Sequence, residues 1–347
     1  SGTVPHVMDT KEVYRVAEAY INTAKRLADC GFDGVELHGA HGYLMTQFLS
    51  AASNIRDDEF SGDTVSRTLF IRNIAQGIKE ACGKNFIVGL KMPADEGVEG
   101  GVDPDEAEQI TGLLSATNNF DYFSYGQGNF SLSLENHVPD LYFREGHFID
   151  LHKRMRAAAN GVPVMALGRI GTAQLAEDVI ENGNGDLVGM SRALITDAAL
   201  PQKAQLGDIK DIRPCVFDNF SWGEIHLGKP LTEHHNPYLG KKDEAFFRLK
   251  PAEFSKRVVV AGSGPAGLEA AWVAAARGHG VTLFCASPDL GGSLMTESAL
   301  PGRSDMAQII NHQIHLGNTY GVEYVLNHKV TRSDIAEFGA DTLVLAT

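Results

Sequence analysis

Five times between Glu12 and Ser191, a stretch with apolar residues three and four apart gives way to a short apolar run. "EVYRVAEAYINTAKRLADCG" precedes "FDGVEL", "RTLFIRNIAQGIKEACG" precedes "FIVGLKM", and "DEAEQITGLLSAT" precedes "FDYFSYG". "HFIDLHKRMRAAAN" then leads to "VPVMALG", and "AQLAEDVIENG" to "DLVGMS". The first kind of spacing makes a one-sided helix, and the second makes a buried strand. Regular alternation of the two predicts parallel strands joined by right-handed crossovers. An open doubly wound sheet and a barrel wall satisfy this pattern equally well. A complete eight-stranded barrel takes about 250 residues, and only these five units fit before the composition changes near Ile212.

From Arg213 to Phe254 the chain is rich in Pro, Asn and aromatic residues and keeps little period, so it reads as a long connector that packs against something. "RVVVAGSGPAGLEAAWVAAARGHGVTLF" then begins a second α/β unit, and "ADTLVLAT" reads as a further strand. With 347 residues, the chain is expected to hold about two domains. A formal charge of −14 disfavours nucleic acid and anionic membrane surfaces as partners. No apolar run approaches the ~20 residues of a membrane span and no signal-peptide pattern is seen, so the expected location is cytoplasmic. Cys30, Cys82, Cys215 and Cys285 lack pairwise spacing, which predicts neither a disulfide framework nor a four-thiolate metal site.

Three constellations carry chemistry. Gly262, Gly264 and Gly267 form G-x-G-x-x-G between an apolar strand and a helix. There the first glycine allows a tight turn, the second lets a pyrophosphate approach, and the third lets the helix pack on the strand. The acidic residue expected to grip a ribose at the end of the next strand is replaced by Cys285, leaving Asp289 as a substitute or the grip lost. His38, His41 and Tyr43 follow a strand end, where imidazoles can donate to an anionic oxygen and a phenol can deliver a proton; they could equally satisfy loop carbonyls. Gly168 with Arg169, and Gly189 with Ser191 and Arg192, close the fourth and fifth strands with the amides and cations that a phosphate needs, or with ordinary turns and solvated arginines. Lys91 ends the second strand and could set a cation beside an anionic ring, or be solvated. His234 and His235, beside Glu233, read as surface residues, and no metal site is expected.

"GFDGVELHGAHGYLMTQFLS", "NIRDDEFSG", "SRTLF", "ALGRI", "VGMSRALITD", "VVVAGSGPAGLEAA", "ALPGR" and "YGVEYVLNHKVT", in that order, resemble the old yellow enzyme superfamily. Within it, the similarity is to the multidomain branch containing trimethylamine dehydrogenase and bacterial 2,4-dienoyl-CoA reductase. The resemblance implies an FMN-binding (β/α)8 TIM barrel, represented here by its C-terminal five βα units over residues 1–212. A connector over 213–255 and a Rossmann-like domain over 256–347, incomplete at its C-terminus, would follow; that domain would hold FAD, ADP or NAD(P). His38 and His41 match the pair facing flavin and substrate oxygen, Tyr43 the proton donor, and Lys91 the position of a flavin-ring arginine. Arg169, Gly189 and Arg192 fall on the FMN phosphate segments.

Three departures stand beside these matches. The branch's iron–sulfur cysteines survive only at Cys215, with Asp218, Ser221 and Glu233 at the other positions, so the cluster is expected to be absent. Ser133 and Asn136 replace the tryptophan and acidic residue of an amine cage, while Trp222 keeps the other aromatic wall. The first barrel strands are missing, which implies a slice of a longer protein or a partner chain or further subunit that completes the barrel. The expected activity is NAD(P)H-dependent reduction of an activated C=C bond in a small molecule. The alternatives are oxidative dealkylation of a secondary or tertiary amine, and a non-catalytic or subunit-like role.

Overall fold

In the computed structural model, residues 6–242, 244–246 and 249–347 are described. The first five residues of the barrel part, and Asp243, Phe247 and Arg248 of the connector, lie outside the described residues. The chain divides into two compact units. One holds residues up to Pro139 with Glu145–Ile170 and Gln174–Met190, and the other holds Asp140–Arg144, Gly171–Ala173 and Ser191–Thr347.

The first unit opens on the helix Thr10–Asp29, whose start is fixed by Asp9 and Glu12, each accepting the other's backbone N–H. Strand β1 (Gly34–His38) follows, then the helix Leu69–Cys82, β2 (Ile87–Asp95), the helix Pro104–Ser115 and β3 (Tyr122–Gln127). The helices Ile149–Ala158 and Ala173–Glu181 lead to β4 (Val164–Leu167) and β5 (Leu187–Gly189). All neighbouring pairs are parallel and the spatial order is β1-β2-β3-β4-β5. A doubly wound sheet reverses direction at a switch point. Strictly sequential order is instead that of a TIM-barrel wall, which settles the choice left open by periodicity.

Alternation along the strands sorts the two faces. Val88, Leu90 and Met92 of β2 join Phe70, Ile71, Ile74 and Ile78 of the preceding helix in one fully buried core. Buried apolar area stabilises by roughly 25 cal/mol per Å², so this face holds the unit together. The opposite face carries a row in register: His38 opposite Lys91, Lys91 opposite Ser124, Ser124 opposite Met165, and Met165 opposite Leu187. Polar groups therefore accumulate on the side away from the helices.

The second unit contains β6 (Arg257–Ala261), β7 (Gly280–Phe284), β8 (Glu323–Val325) and β9 (Thr342–Leu345), parallel and ordered β8-β7-β6-β9. Here the order does reverse after β6, as in a Rossmann-like half. The connector is more regular than its composition suggested, because Phe220–His226 forms a helix within it. No helix among the described residues is long and apolar enough to cross a membrane.

Candidate functional site

The bend after β1 is built by close backbone approaches. Gly39 donates its N–H to the Lys91 carbonyl at 2.6 Å, and a Cβ on Gly39 would lie 2.9 Å from that oxygen. His41 takes φ +64° and Gly42 φ +79°. A left-handed histidine costs on the order of 1 kcal/mol or more, and the surroundings hold it there. Asn129 packs against Gly42, accepts a backbone N–H from Ser131, and donates to the buried Glu96 carboxylate at 3.0 Å. The Phe130 N–H meets the His41 carbonyl at 3.0 Å.

This turn gathers the three predicted side chains. The His38 ring centre lies 5.3 Å from that of His41 and 5.4 Å from that of Tyr43. His41 is buried and stacks on His137 at 3.7 Å, while Tyr43 is 44% exposed and stacks on Phe130 at 5.3 Å. Among the described residues, none of the three uses its side-chain polar atoms in a hydrogen bond to protein, so the alternative that they serve loop carbonyls is not what forms. Burial, then His137, Lys91 and His38, push the His41 imidazole down to about 2. Burial and Lys91 lower His38 as well, with Glu36 opposing. Both imidazoles are neutral near pH 7, able to donate one N–H each without acting as cations.

Lys91 faces the same side, level with His38. Its ammonium makes no hydrogen bond or ion pair among the described residues, and burial lowers its basicity against the pull of Glu36. Gln127, at the end of β3, is missing from the sequence reading. Both its amide atoms are buried without a hydrogen-bond partner. An amide at a strand end between two glycines was the available signal, and nothing in the pattern separated it from an ordinary loop residue. His137 was missed too, because the four-residue helix Leu134–His137 carries no period.

The remaining predicted residues are placed as follows. Gly168 (φ +107°) and Arg169 (φ +54°, buried) form a left-handed turn after β4, and Gly189 ends β5 opposite Leu167. Ser191 precedes the short helix Arg192–Thr196 without capping it by its side chain. Arg192 donates to Asn219 Oδ1 at 2.6 Å and lies 4.6 Å from the Phe217 ring centre, so it is not the solvated arginine of the bland reading. Asn136 is half-buried in Leu134–His137, and Ser133 is tied to Asn129 N–H and the Glu96 carbonyl. Trp222 stands 4.1 Å from the His226 ring.

In the second unit the three glycines do different things. A Cβ on Gly262 would lie 2.2 Å from the Ala346 carbonyl oxygen, and one on Gly267 would lie 2.0 Å from that of Gly262. Gly264 caps the helix Pro265–Ala276 and faces open space. That is the arrangement for an anion at a helix start. Cys285 is buried, and its sulfur meets Ser263 Oγ at 2.8 Å and the Asp289 carbonyl at 3.4 Å. It offers nothing to a ribose.

His234 and His235 correct the sequence reading. The His235 side chain is 7% exposed and Glu233 6%, and their nearest atoms are 2.6 Å apart. Sequence reasoning placed them on the surface because a connector normally runs there. Here it folds back on itself through Asn236, whose side chain donates to the Ile195 carbonyl and to Glu244.

Residues 1–210 match the NADH:flavin oxidoreductase / NADH oxidase family, and 260–325 match an NAD(P)-binding Rossmann-like domain. The chain is 32% identical to an NADH oxidase of Thermoanaerobacter brockii, over 100% of this chain and 53% of that protein. It is 31% identical to a cinnamate reductase of Clostridium sporogenes, over 100% and 54%. A histamine dehydrogenase from Rhizobium sp. 4-9 superposes with a TM-score of 0.91 at 28% identity, over 100% of this chain and 50% of that one. The chain thus spans about half the length of the curated relatives it matches. With its parallel barrel wall, its strand-end histidines and a match over most of its length, this chain belongs to the NADH:flavin oxidoreductase / NADH oxidase family.

Proposed function

We propose that the chain contributes the flavin and substrate site of an FMN-dependent oxidoreductase that reduces an activated C=C bond with NAD(P)H. The observation that carries this reading is the cluster of His38, His41 and Tyr43, with neutral imidazoles and a half-exposed phenol. FMN fits the residues present, because Gln127 offers a buried amide without a partner and Lys91 an unpaired ammonium. We assign Lys91 and Gln127 to the flavin ring, and Gly168, Arg169, Gly189, Ser191 and Arg192 to its phosphate. When bound, FMN supplies hydride transfer between nicotinamide and substrate. His38 and His41 hold the substrate carbonyl oxygen by N–H donation, which is worth roughly 3–4 kcal/mol per donor when charge builds on that oxygen. Tyr43 gives its proton to the α carbon. Asn136 and Trp222 are assigned to the substrate pocket.

Gly262, Gly264 and Gly267 are assigned to a second dinucleotide, FAD or NAD(P), held by its pyrophosphate without an acidic ribose grip. A [4Fe–4S] cluster does not fit: Cys215, Asp218, Ser221 and Glu233 line one small cavity, and only the first is a thiol. Further strands, from the same polypeptide or another subunit, are proposed to extend the sheet at β1 and β5.

The test is rapid-reaction kinetics of the full-length enzyme. Tyr43→Phe should slow oxidation of the reduced enzyme by an enoate about 100-fold and leave reduction by nicotinamide intact. Equal losses in both halves would remove Tyr43 from proton transfer. Oxidation of an N-methylated or primary amine is the second reading, favoured by the structural likeness to histamine dehydrogenase and by the Trp222–His226 wall. Turnover of amines but not enoates would establish it.

A further inference from the structure

The second unit holds a cavity of about 10 Å³, room for the centre of one water-sized ligand, lined in part by Cys215, Asp218, Glu233 and His235. His235 Nε2 lies 2.7 Å from the Pro214 carbonyl. A carbonyl only accepts, so the hydrogen sits on Nε2 and the neutral ring keeps its lone pair on Nδ1. That nitrogen is 2.6 Å from Glu233 Oε1, yet it is buried and in hydrogen-bond geometry with nothing. Two acceptors held that close repel unless a cation sits with them. An imidazole whose other nitrogen donates to a backbone carbonyl is the usual setting of a metal-bound histidine.

More donors converge on the same point. One ligand atom each from Glu233, His234 and His235 lies within 4.8 Å of the others. Donors around a tetrahedral ion with bonds of ~2.0–2.3 Å stand roughly 3.3–3.8 Å apart, so small side-chain rotations close the shell. Ser221 Oγ donates to the second Glu233 oxygen at 3.3 Å, and His234 Nδ1 meets Asp218 at 3.2 Å.

We propose that this cavity binds a single divalent cation of borderline softness, held by Glu233, His235 and Cys215 with His234 completing the shell. Mixed carboxylate, imidazole and thiolate donors suit zinc rather than magnesium or calcium. The ion would brace the connector and takes no part in the redox chemistry.

The experiment uses the full-length protein, with total metals and acid-labile sulfide measured and zinc titrated in competition with a chromophoric chelator. One tightly held zinc per chain is expected, without sulfide. Glu233→Gln and His235→Gln should each weaken zinc by more than the roughly 10–100-fold that loss of an outer hydrogen-bond partner causes. Cobalt(II) in place of zinc should give a sulfur-to-metal charge-transfer band that Cys215→Ser abolishes. No retained metal and no uptake would overturn the proposal, as would iron with stoichiometric sulfide or zinc binding unmoved by both variants. If the variants fold poorly, the cobalt spectrum of the unaltered chain decides, since a site without the Cys215 thiolate gives no such band.

Discussion

Strands β1 and β6 are both five residues long, and both run into a glycine-rich bend. In β6, Val258, Val259, Val260 and Ala261 are all buried. In β1 only Leu37 is buried, while Glu36 and His38 stand on the opposite face. A strand buried on both faces can only supply backbone, so the chemistry at β6 is an amide turn for a phosphate. A strand covered on one face can spend the other on functional side chains. That difference explains why one site is written as glycines and the other as histidines and a tyrosine.

The sharpest test of the face argument is the pair Leu90→Ala and Glu36→Ala. The first empties a fully buried position and should lower unfolding free energy by about 3–5 kcal/mol. The second should change it by under about 1 kcal/mol in chemical denaturation. Comparable losses would mean that the polar face is packed. For the glycine turn, Gly267→Val drives a methyl into the Gly262 carbonyl and should cost about 3 kcal/mol. Gly264→Ala meets open space, so the melting temperature should hold while dinucleotide affinity falls more than about tenfold.

The smallest effect concerns two buried histidines. His312 is held down to about 4, mainly by burial and then by Arg213, whereas His41 sits near 2. A histidine whose folded value lies below its unfolded value near 6.5 binds fewer protons when folded. Stability is therefore full above pH 6.5 and falls as pH drops toward 4, by about 2 kcal/mol for His312. His312→Gln should flatten that slope in pH-dependent denaturation. An unchanged slope would assign the acid sensitivity elsewhere.

The five helix–strand units and the second α/β unit were legible because apolar periodicity is a local property of the chain. Predicted and observed strands agree to within a few residues: "FIVGLKM" became Ile87–Asp95 and "VPVMALG" became Val164–Leu167. The candidate residues His38, His41 and Tyr43 were picked out by their place after a strand. Their proximity was not legible, since it depends on left-handed φ at His41 and on the Glu96–Asn129 brace more than 50 residues away. Gln127 escaped notice for the same reason: burial without a partner is a fact about neighbours.

The sequence by itself determined that strands are parallel, where they begin, and that a phosphate turn sits at Gly262–Gly267, because spacing and glycine stereochemistry act within a few residues. Tertiary structure alone decided the sequential order of the first sheet against the reversed order of the second. It also decided that Cys285 turns inward and that Glu233 and His235 are buried together. Order, burial and charge pairing are set by contacts between segments distant in the chain, and no local pattern encodes which of them will meet.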